Sequence, residues 1–210
     1  MILGLNFATE KLCLAISDIS RASMSEKIYH GQTIKAEFLL EYLNELLKET
    51  NLTLQEISRI GIAIGPGAFT GLRLSLVTAK TLALELNIPL VPVSTLEALA
   101  AQYQEEAAGK NIRVIMDTCR GESATALFTN DLQRLEPDHT VKTTAVLREK
   151  ENFIIENRPT DARSICFLAG KAEKLLSRAE TFALVPAYSH DSRVNLTNKP
   201  ELQHLKIAKQ

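Results

Sequence analysis

The sequence predicts an α/β protein of two subdomains, the second reduced relative to the first. Three observations predict it. Near the N-terminus, three short apolar runs are joined by links too short to hold helices. Farther along, apolar strand-like runs alternate with helical segments. Between them, Gly65-Pro66-Gly67-Ala68-Phe69-Thr70-Gly71-Leu72-Arg73 forms a glycine-rich turn that opens a helix. At 210 residues the chain holds one large domain or two small ones and can bury a substantial core.

The first runs are 2–7, 11–18 and 22–29. In the second, Leu12, Leu14 and Ile16 alternate with Cys13, Ala15 and Ser17, the two-residue period of a strand. Short links make these three an antiparallel meander. A helix follows over about 33–49. Its apolar arc runs through Ile34, Phe38, Leu39, Leu40, Tyr42, Leu43, Leu46 and Leu47, wider than the ~100° one core-facing stripe requires. Either the helix is sandwiched within one core, or its second face serves a partner protein. Residues 60–65 read as a buried strand, 70–86 as a helix apolar almost all round, and 89–93 as another buried strand. Arg73 and Lys80 lie seven residues apart on one stripe of that helix. Ser94 is placed to cap the next helix, with Glu97 completing a capping box.

Three antiparallel strands, helix, strand, helix, strand, helix is the layout of a ribonuclease-H-like half, as in actin-type ATPases (the ASKHA fold). Residues 1–105 therefore form the N-terminal subdomain. The polar stretch 105–111, with Gly109, marks the boundary. Residues 106–210 form a smaller C-terminal α/β subdomain, with strands at 112–116 and 123–128 flanking Asp117-Thr118-Cys119-Arg120-Gly121-Glu122. Weak strands are expected near 140–147 and 153–155, and a helix at 164–179. After Pro186 the sequence shows no strong periodicity.

Composition narrows the function classes. The net charge of −1 gives no overall electrostatic pull toward nucleic acid. Arg113, Arg120, Arg158, Arg163 and Arg193 are dispersed, with no aromatic platform beside them. No apolar run approaches the ~20 residues of a membrane span, and the first residues read as a strand, not a signal peptide. A cytoplasmic protein is expected. Cys13, Cys119 and Cys166 are far apart and form no CxxC pair, so they read as small core thiols. His30, His139, His190 and His204 contain no pair at i, i+4.

The glycine turn matches neither standard phosphate motif. A P-loop needs Lys after its last glycine, where Leu72 stands; a dinucleotide fingerprint needs glycine where Thr70 stands. Gly65 and Gly67 still permit positive φ or close backbone approach, Pro66 stiffens the turn, and Thr70 is placed to cap the helix. The residues leave two uses open: packing, or anion binding at a helix N-terminus. Asp117, Arg120 and Glu122 likewise read either as a charged cluster or as a hairpin turned by Gly121.

The nine-residue turn, with Ala79-Lys80 and Val93-Ser94-Thr95-Leu96-Glu97-Ala98-Leu99-Ala100, closely resembles the TsaB (YeaZ) family. Ile2 to Glu10, Asp117 to Glu122 and Pro186-Ala187-Tyr188 match that family in outline. The resemblance implies a part in forming N6-threonylcarbamoyladenosine at position 37 of tRNAs that read codons starting with A. It implies a non-catalytic subunit, related to the transferase TsaD, which dimerises with TsaD through its first-domain helices, while TsaE acts on the pair. It implies a partner interface of Phe38, Leu39, Tyr42, Leu72, Arg73, Leu76 and Lys80, and a structural turn of Gly65, Pro66, Gly67, Thr70 and Gly71. No catalytic, cofactor or metal residue is expected; ATP and a metal ion would belong to partner subunits, and tRNA would be met only indirectly. The same face could form a homodimer in isolation.

Two departures shape the expectation. The family usually carries Asp-Thr-Ser where this chain has Asn6-Phe7-Ala8, so the acid that works with a metal in actin-type ATPases is missing. Asn6 reads instead as a strand-end residue bonding its own turn. TsaD-type proteins hold a metal with H-x-x-x-H on the first-domain helix; that helix contains no histidine here, and Lys35 falls near where one is common. The alternative is a metal-dependent nucleotide-binding or acyl-transfer enzyme of the actin-type ATPase superfamily.

Overall fold

Strand β1 (Ile2–Asn6) is buried along its whole length and pairs antiparallel with β2 (Leu12–Ser17), which pairs antiparallel with β3 (Met24–Tyr29). On its other side β1 takes β4 (Arg59–Gly65) in parallel, and β5 (Leu90–Ser94) closes the sheet, giving the order β3-β2-β1-β4-β5. The computed structural model describes residues 1–18, 23–30, 38–118, 121–146 and 148–187.

The two-residue period sorts this sheet by size. Leu3, Leu5, Leu12, Leu14, Ile16, Ile60 and Ile62 project into one core with helices α1 (Leu39–Glu49) and α2 (Phe69–Leu86). Cys13, Ala15, Ala63, Gly4 of β1 and Gly61 of β4 project to the other face, on which α4 (Arg163–Lys171) packs. A methyl group at Gly4 would sit 2.6 Å from the Ala162 carbonyl oxygen, and one at Gly61 would sit 2.8 Å from the Ala169 Cβ. Large side chains thus fill the gap to α1 and α2, and small ones let α4 approach closely.

Helix α3 (Thr95–Gln102) lies between the two sheets. Ala98 belongs to the small-residue core, while Leu96, Leu99 and Ala100 pack with the second sheet. Ser94 caps α3 as expected, accepting from the Leu96 and Glu97 amides. Glu97 does not close a capping box: its carboxylate pairs with Arg134 at 3.0 Å.

The second sheet, β6 (Ile112–Asp117), β7 (Glu122–Phe128), β8 (Arg134–Lys142) and β9 (Phe153–Glu156), has the order β8-β7-β6-β9, with β9 parallel to β6. This repeats the first four strands of the N-terminal sheet. Its reduction lies between β8 and β9, where the described residues of 143–152 form a short 3-10 turn and no α-helix. Ion pairs help close that face: the buried Arg113 guanidinium meets Glu136 of β8 and Glu149 of the following loop. Arg113 in turn holds the Glu136 carboxyl below the ordinary carboxylate range, while that of Glu149 is lowered first by a hydrogen bond from its own backbone amide and then by Arg113.

Several element bounds differ from expectation. The weak strand expected at 140–147 lies at 134–142, with no residue fully buried and carrying Pro137, which hides its period. The helix expected at 164–179 ends at Lys171, where Arg59 donates to the carbonyls of Ala169 at 2.6 Å and Ala172 at 3.3 Å. A separate short helix, α5 (Arg178–Ala183), then starts in a capping box of Ser177 and Glu180. Of the helix expected from residue 33, residues 33–37, including Ile34 and Lys35, lie outside the described residues. So do Cys119, Arg120, Tyr188, His190, Arg193 and His204.

Candidate functional site

Two regions collect the residues singled out above: the crevice at the C-terminal ends of the parallel strands, where open α/β sheets bind ligands, and the outer side of α1 and α2.

At the crevice, Asn6 is fully buried. Its Oδ1 accepts the Ala8 amide at 3.1 Å, and its Nδ2 donates to the Asp161 carbonyl at 2.8 Å. The strand-end reading of Asn6 therefore holds. The glycine turn packs on this same loop. The Ala68 amide donates to the Ala8 carbonyl at 2.6 Å, a methyl at Gly67 would overlap Ala8, and a methyl at Gly71 would overlap the Phe7 carbonyl. Gly65 has φ +122°, a conformation glycine adopts freely, and its peptide bond to Pro66 is cis. Packing, not an open anion cradle, is what the glycines serve here. Thr70 does not cap α2; the N-cap residue is Ala68, which makes no side-chain cap, and Thr70 is exposed in the first turn.

Asp117 is held in the hairpin reading. Its Oδ1 accepts from Ser123 Oγ at 2.7 Å and its Oδ2 from Asn157 Nδ2 at 2.8 Å. Gly121, at φ +74°, turns the strand pair, and Thr118 bonds across it to Glu122.

Residues 157–162 run from the second sheet to α4 and stitch the crevice shut. Asn157 accepts the Asp117 amide at 2.7 Å, the Pro159 carbonyl takes the Tyr103 hydroxyl at 3.1 Å, and the Asp161 amide donates to Gln102 at 3.1 Å. The Asp161 carbonyl is the one bonded to Asn6, and the Ala162 amide donates to Glu26 at 2.7 Å. Burial pushes the Glu26 carboxyl above its ordinary 4.5. Burial also drives the Cys13 thiol up to about 12 and raises that of Cys166, so both stay protonated and unreactive near neutrality. This donor set does not suit a metal-bound phosphate: the strand end offers a neutral amide already bonded on both sides. Among the described residues no three His, Cys, Asp or Glu side chains gather where a metal ion would bind. A cavity of about 280 Å³ opens elsewhere, beside β5, with Val91, Val93 and Leu168 in its wall.

The outer side of the helices corrects three expected interface residues. Leu39 and Leu76 are buried in the core beneath α1 and α2, and Leu72 is buried in the small-residue core on the other face of the sheet, so the three present no surface. A helix apolar almost all round does not reveal by period which leucines turn inward. Gly71, Ser75, Ala79 and Ala83, small residues at four-residue spacing, all lie on the buried side of α2. That spacing is visible in the sequence and was the signal to read. Phe38 and Tyr42 are half-buried: Tyr42 stacks on Tyr29 with ring centroids 3.9 Å apart, and Phe38 tilts against Tyr42. Most of the wide arc on α1 is thus absorbed by the core and by β3, leaving Leu40 exposed.

What does face outward is a stripe at i, i+4, i+8 on α2: Phe69, Arg73 and Val77. The Arg73 guanidinium lies over the Phe69 ring at 3.7 Å. Lys80 holds the C-terminal segment beside this stripe, donating to the carbonyls of Phe182 at 2.5 Å and Leu184 at 3.1 Å. Phe182 and Val185 are left 71% and 69% exposed. Sequence reasoning missed both, because neither lies in a long periodic element.

The fold and these two regions define a ribonuclease-H-like α/β protein whose strand-end crevice is closed by its own chain and whose helix α2 exposes Phe69 and Val77. The family model described as "TsaD: tRNA N6-adenosine threonylcarbamoyltransferase" matches residues 35–191. The tRNA threonylcarbamoyladenosine biosynthesis protein TsaB of Bacillus subtilis is 30% identical over 155 residues, covering 66% of this chain and 67% of that protein. TsaB of Buchnera aphidicola (Schizaphis graminum symbiont) is 33% identical over 100 residues, 48% of this chain and 46% of that one, so this alignment spans about half of that relative's length. The structure of YeaZ from Pseudomonas aeruginosa superposes with a TM-score of 0.77 at 19% identity, covering 89% of this chain and 98% of that chain. This chain belongs to the TsaB (YeaZ) family.

Proposed function

We propose that the chain is a non-catalytic subunit required for N6-threonylcarbamoyladenosine formation on tRNA in the cytoplasm, and that it works by docking the outer side of α1 and α2 onto TsaD. The observation that carries this reading is the contrast between the two regions. The crevice is filled by bonded protein groups, while Phe69, Val77, Phe182 and Val185 stand exposed on a rigid frame. Apolar groups held in water on an ordered surface are the usual anchors of an interface. Phe38, Tyr42, Arg73 and Lys80 border this face and belong to its support. ATP, a metal ion and TsaE then act on the TsaB–TsaD pair, tRNA is contacted through partners, and the isolated chain self-associates through the same stripe. The enzymatic alternative needs an acid at the end of β1, where Asn6 stands.

A reconstituted modification reaction tests this. With tRNA, TsaD and the remaining subunits present, product should require this chain. Val77→Asp should reduce product at least tenfold while its melting temperature stays within a few degrees of the parent, since Val77 is 62% exposed and exposed substitutions cost within about 0.5 kcal/mol. Full activity without the chain, or with the variant, would overturn the reading.

A further inference from the structure

We infer that the cavity of about 280 Å³ beside β5 is a binding site for a free α-amino acid with an aliphatic side chain. It lies apart from the outer side of α1 and α2 and is independent of the docking face. β5 is the open edge of the first sheet, and on the α4 side of that edge Val91, Val93 and Leu168 form an apolar wall. The turn joining β7 to β8 supplies Asp131 and Leu132 to the same cavity, which thus sits at the seam between the two sheets. Concave seams that are apolar, with a few placed polar groups, are the usual sites of small ligands. At about 30 Å³ for each water-sized group, this volume takes roughly nine non-hydrogen atoms, the size of leucine.

The charges on the cavity select the ligand. Glu97 is already paired with Arg134, at 3.0 Å. Lys171, at the end of α4, lies over the Phe167 ring at 4.2 Å. Neither Lys171 nor Asp131 forms an ion pair with another described residue. One cation and one anion left on the same small cavity fit a ligand carrying one charge of each sign, and disfavour a net anion or cation. The sheet edge adds acceptors. Ile60 donates to the Pro89 carbonyl at 3.0 Å, so the parallel ladder turns the backbone of Val91 and Val93 toward β4 and that of Leu90 and Pro92 outward. Pro92 has no N–H to give. There the edge accepts but does not donate, which blocks an added strand and suits an ammonium group. The α-ammonium pairs with Asp131, with the edge carbonyls as further acceptors, and the α-carboxylate pairs with Lys171. Both sides are fixed before a ligand arrives. Arg59 holds the end of α4 through the Ala169 and Ala172 carbonyls. The Asn130 carbonyl accepts from Gln104 at 2.7 Å, and Leu132, at a φ of +64° that leucine rarely adopts, packs against the second core beside Asp131.

Titration of the methyl-labelled full chain with L-leucine at low ionic strength, followed by NMR at Val91, Val93 and Leu168, tests the inference. The expected result is a saturable shift of these methyl groups with a dissociation constant on the order of millimolar, as befits about nine non-hydrogen atoms. Isocaproate, which lacks the ammonium, and isoamylamine, which lacks the carboxylate, should each bind at least about threefold more weakly. L-leucine should lose as much on Lys171→Met and on Asp131→Asn, since an exposed ion pair is worth up to about fivefold. Both variants change exposed side chains and should melt with the parent. No saturable shift up to about 50 mM L-leucine would overturn the inference. So would losses smaller than about threefold, which would leave an apolar cavity without charge selection. TsaD is absent from this experiment, so its outcome stands apart from the docking test.

Discussion

Replacing glycine by alanine inside a helix ordinarily stabilises it by roughly 1 kcal/mol, yet the structure predicts opposite signs at two helical glycines. Gly71 is the third residue of α2, and its missing side chain is where the Phe7 carbonyl sits. A methyl there would also come within 3.0 Å of the Phe7 ring. Neither neighbour has room to yield, because the Ala68 amide fixes the adjoining Ala8 carbonyl at 2.6 Å. Overpacking of this kind costs about 1–3 kcal/mol, so after the helical gain Gly71→Ala should lose up to about 2 kcal/mol. In a chain of this size a loss of about 2 kcal/mol is a fall of roughly 4–8 °C in melting temperature. Gly170 lies near the end of α4, and its nearest obstacle is the terminal methyl of Ile2 at 3.2 Å. That methyl can move aside, so Gly170→Ala should gain about 0.5 kcal/mol, or roughly 1–2 °C. Thermal and urea melts of both variants decide the matter. If Gly71→Ala melts at or above the parent, the close approach of turn and strand end is not what requires glycine.

Two further outcomes follow from the crevice. Asn6→Asp should destabilise the fold by about 3 kcal/mol at neutral pH, because it buries a carboxylate against the Asp161 carbonyl and removes the donor that bonds it. It should gain no ATP hydrolysis; a phosphate-release assay showing turnover would contradict the closed crevice. Glu26 binds its proton more tightly folded than unfolded, since burial raises its pKa above 4.5. Its contribution is therefore full below that value and is lost as pH rises through the raised one. The melting temperature of Glu26→Gln relative to the parent should accordingly increase from pH 4 to pH 7, and a difference that does not change with pH would refute this.

Much of this fold was legible because its signals are local. The alternation in Leu12–Ser17, the tight links between the first strands and the glycine turn are each read from neighbouring residues, and all reappear where expected. Asn6 was legible for the same reason, since its bond to the Ala8 amide spans two residues. What was hidden depends on distant partners. The end of α4 is set by Arg59, more than a hundred residues away. The closure of the crevice rests on Asn157, Asp161 and Ala162 meeting groups from other elements. The inward turn of Leu39, Leu72 and Leu76 is a choice among apolar residues that a helical period cannot make. Gly4 and Gly61, opposite large leucines and isoleucines, carried in plain sight the small face on which α4 sits.

Docking of the exposed stripe of α2 onto TsaD, as proposed above, is open to direct measurement. Sedimentation of the purified chain with purified TsaD tests it most directly. A one-to-one complex is expected, and Val77→Asp should weaken it by at least a hundredfold, since an aspartate carboxylate desolvated against an apolar partner costs about 3 kcal/mol or more. No complex with the parent, or an equal affinity for the variant, would contradict it.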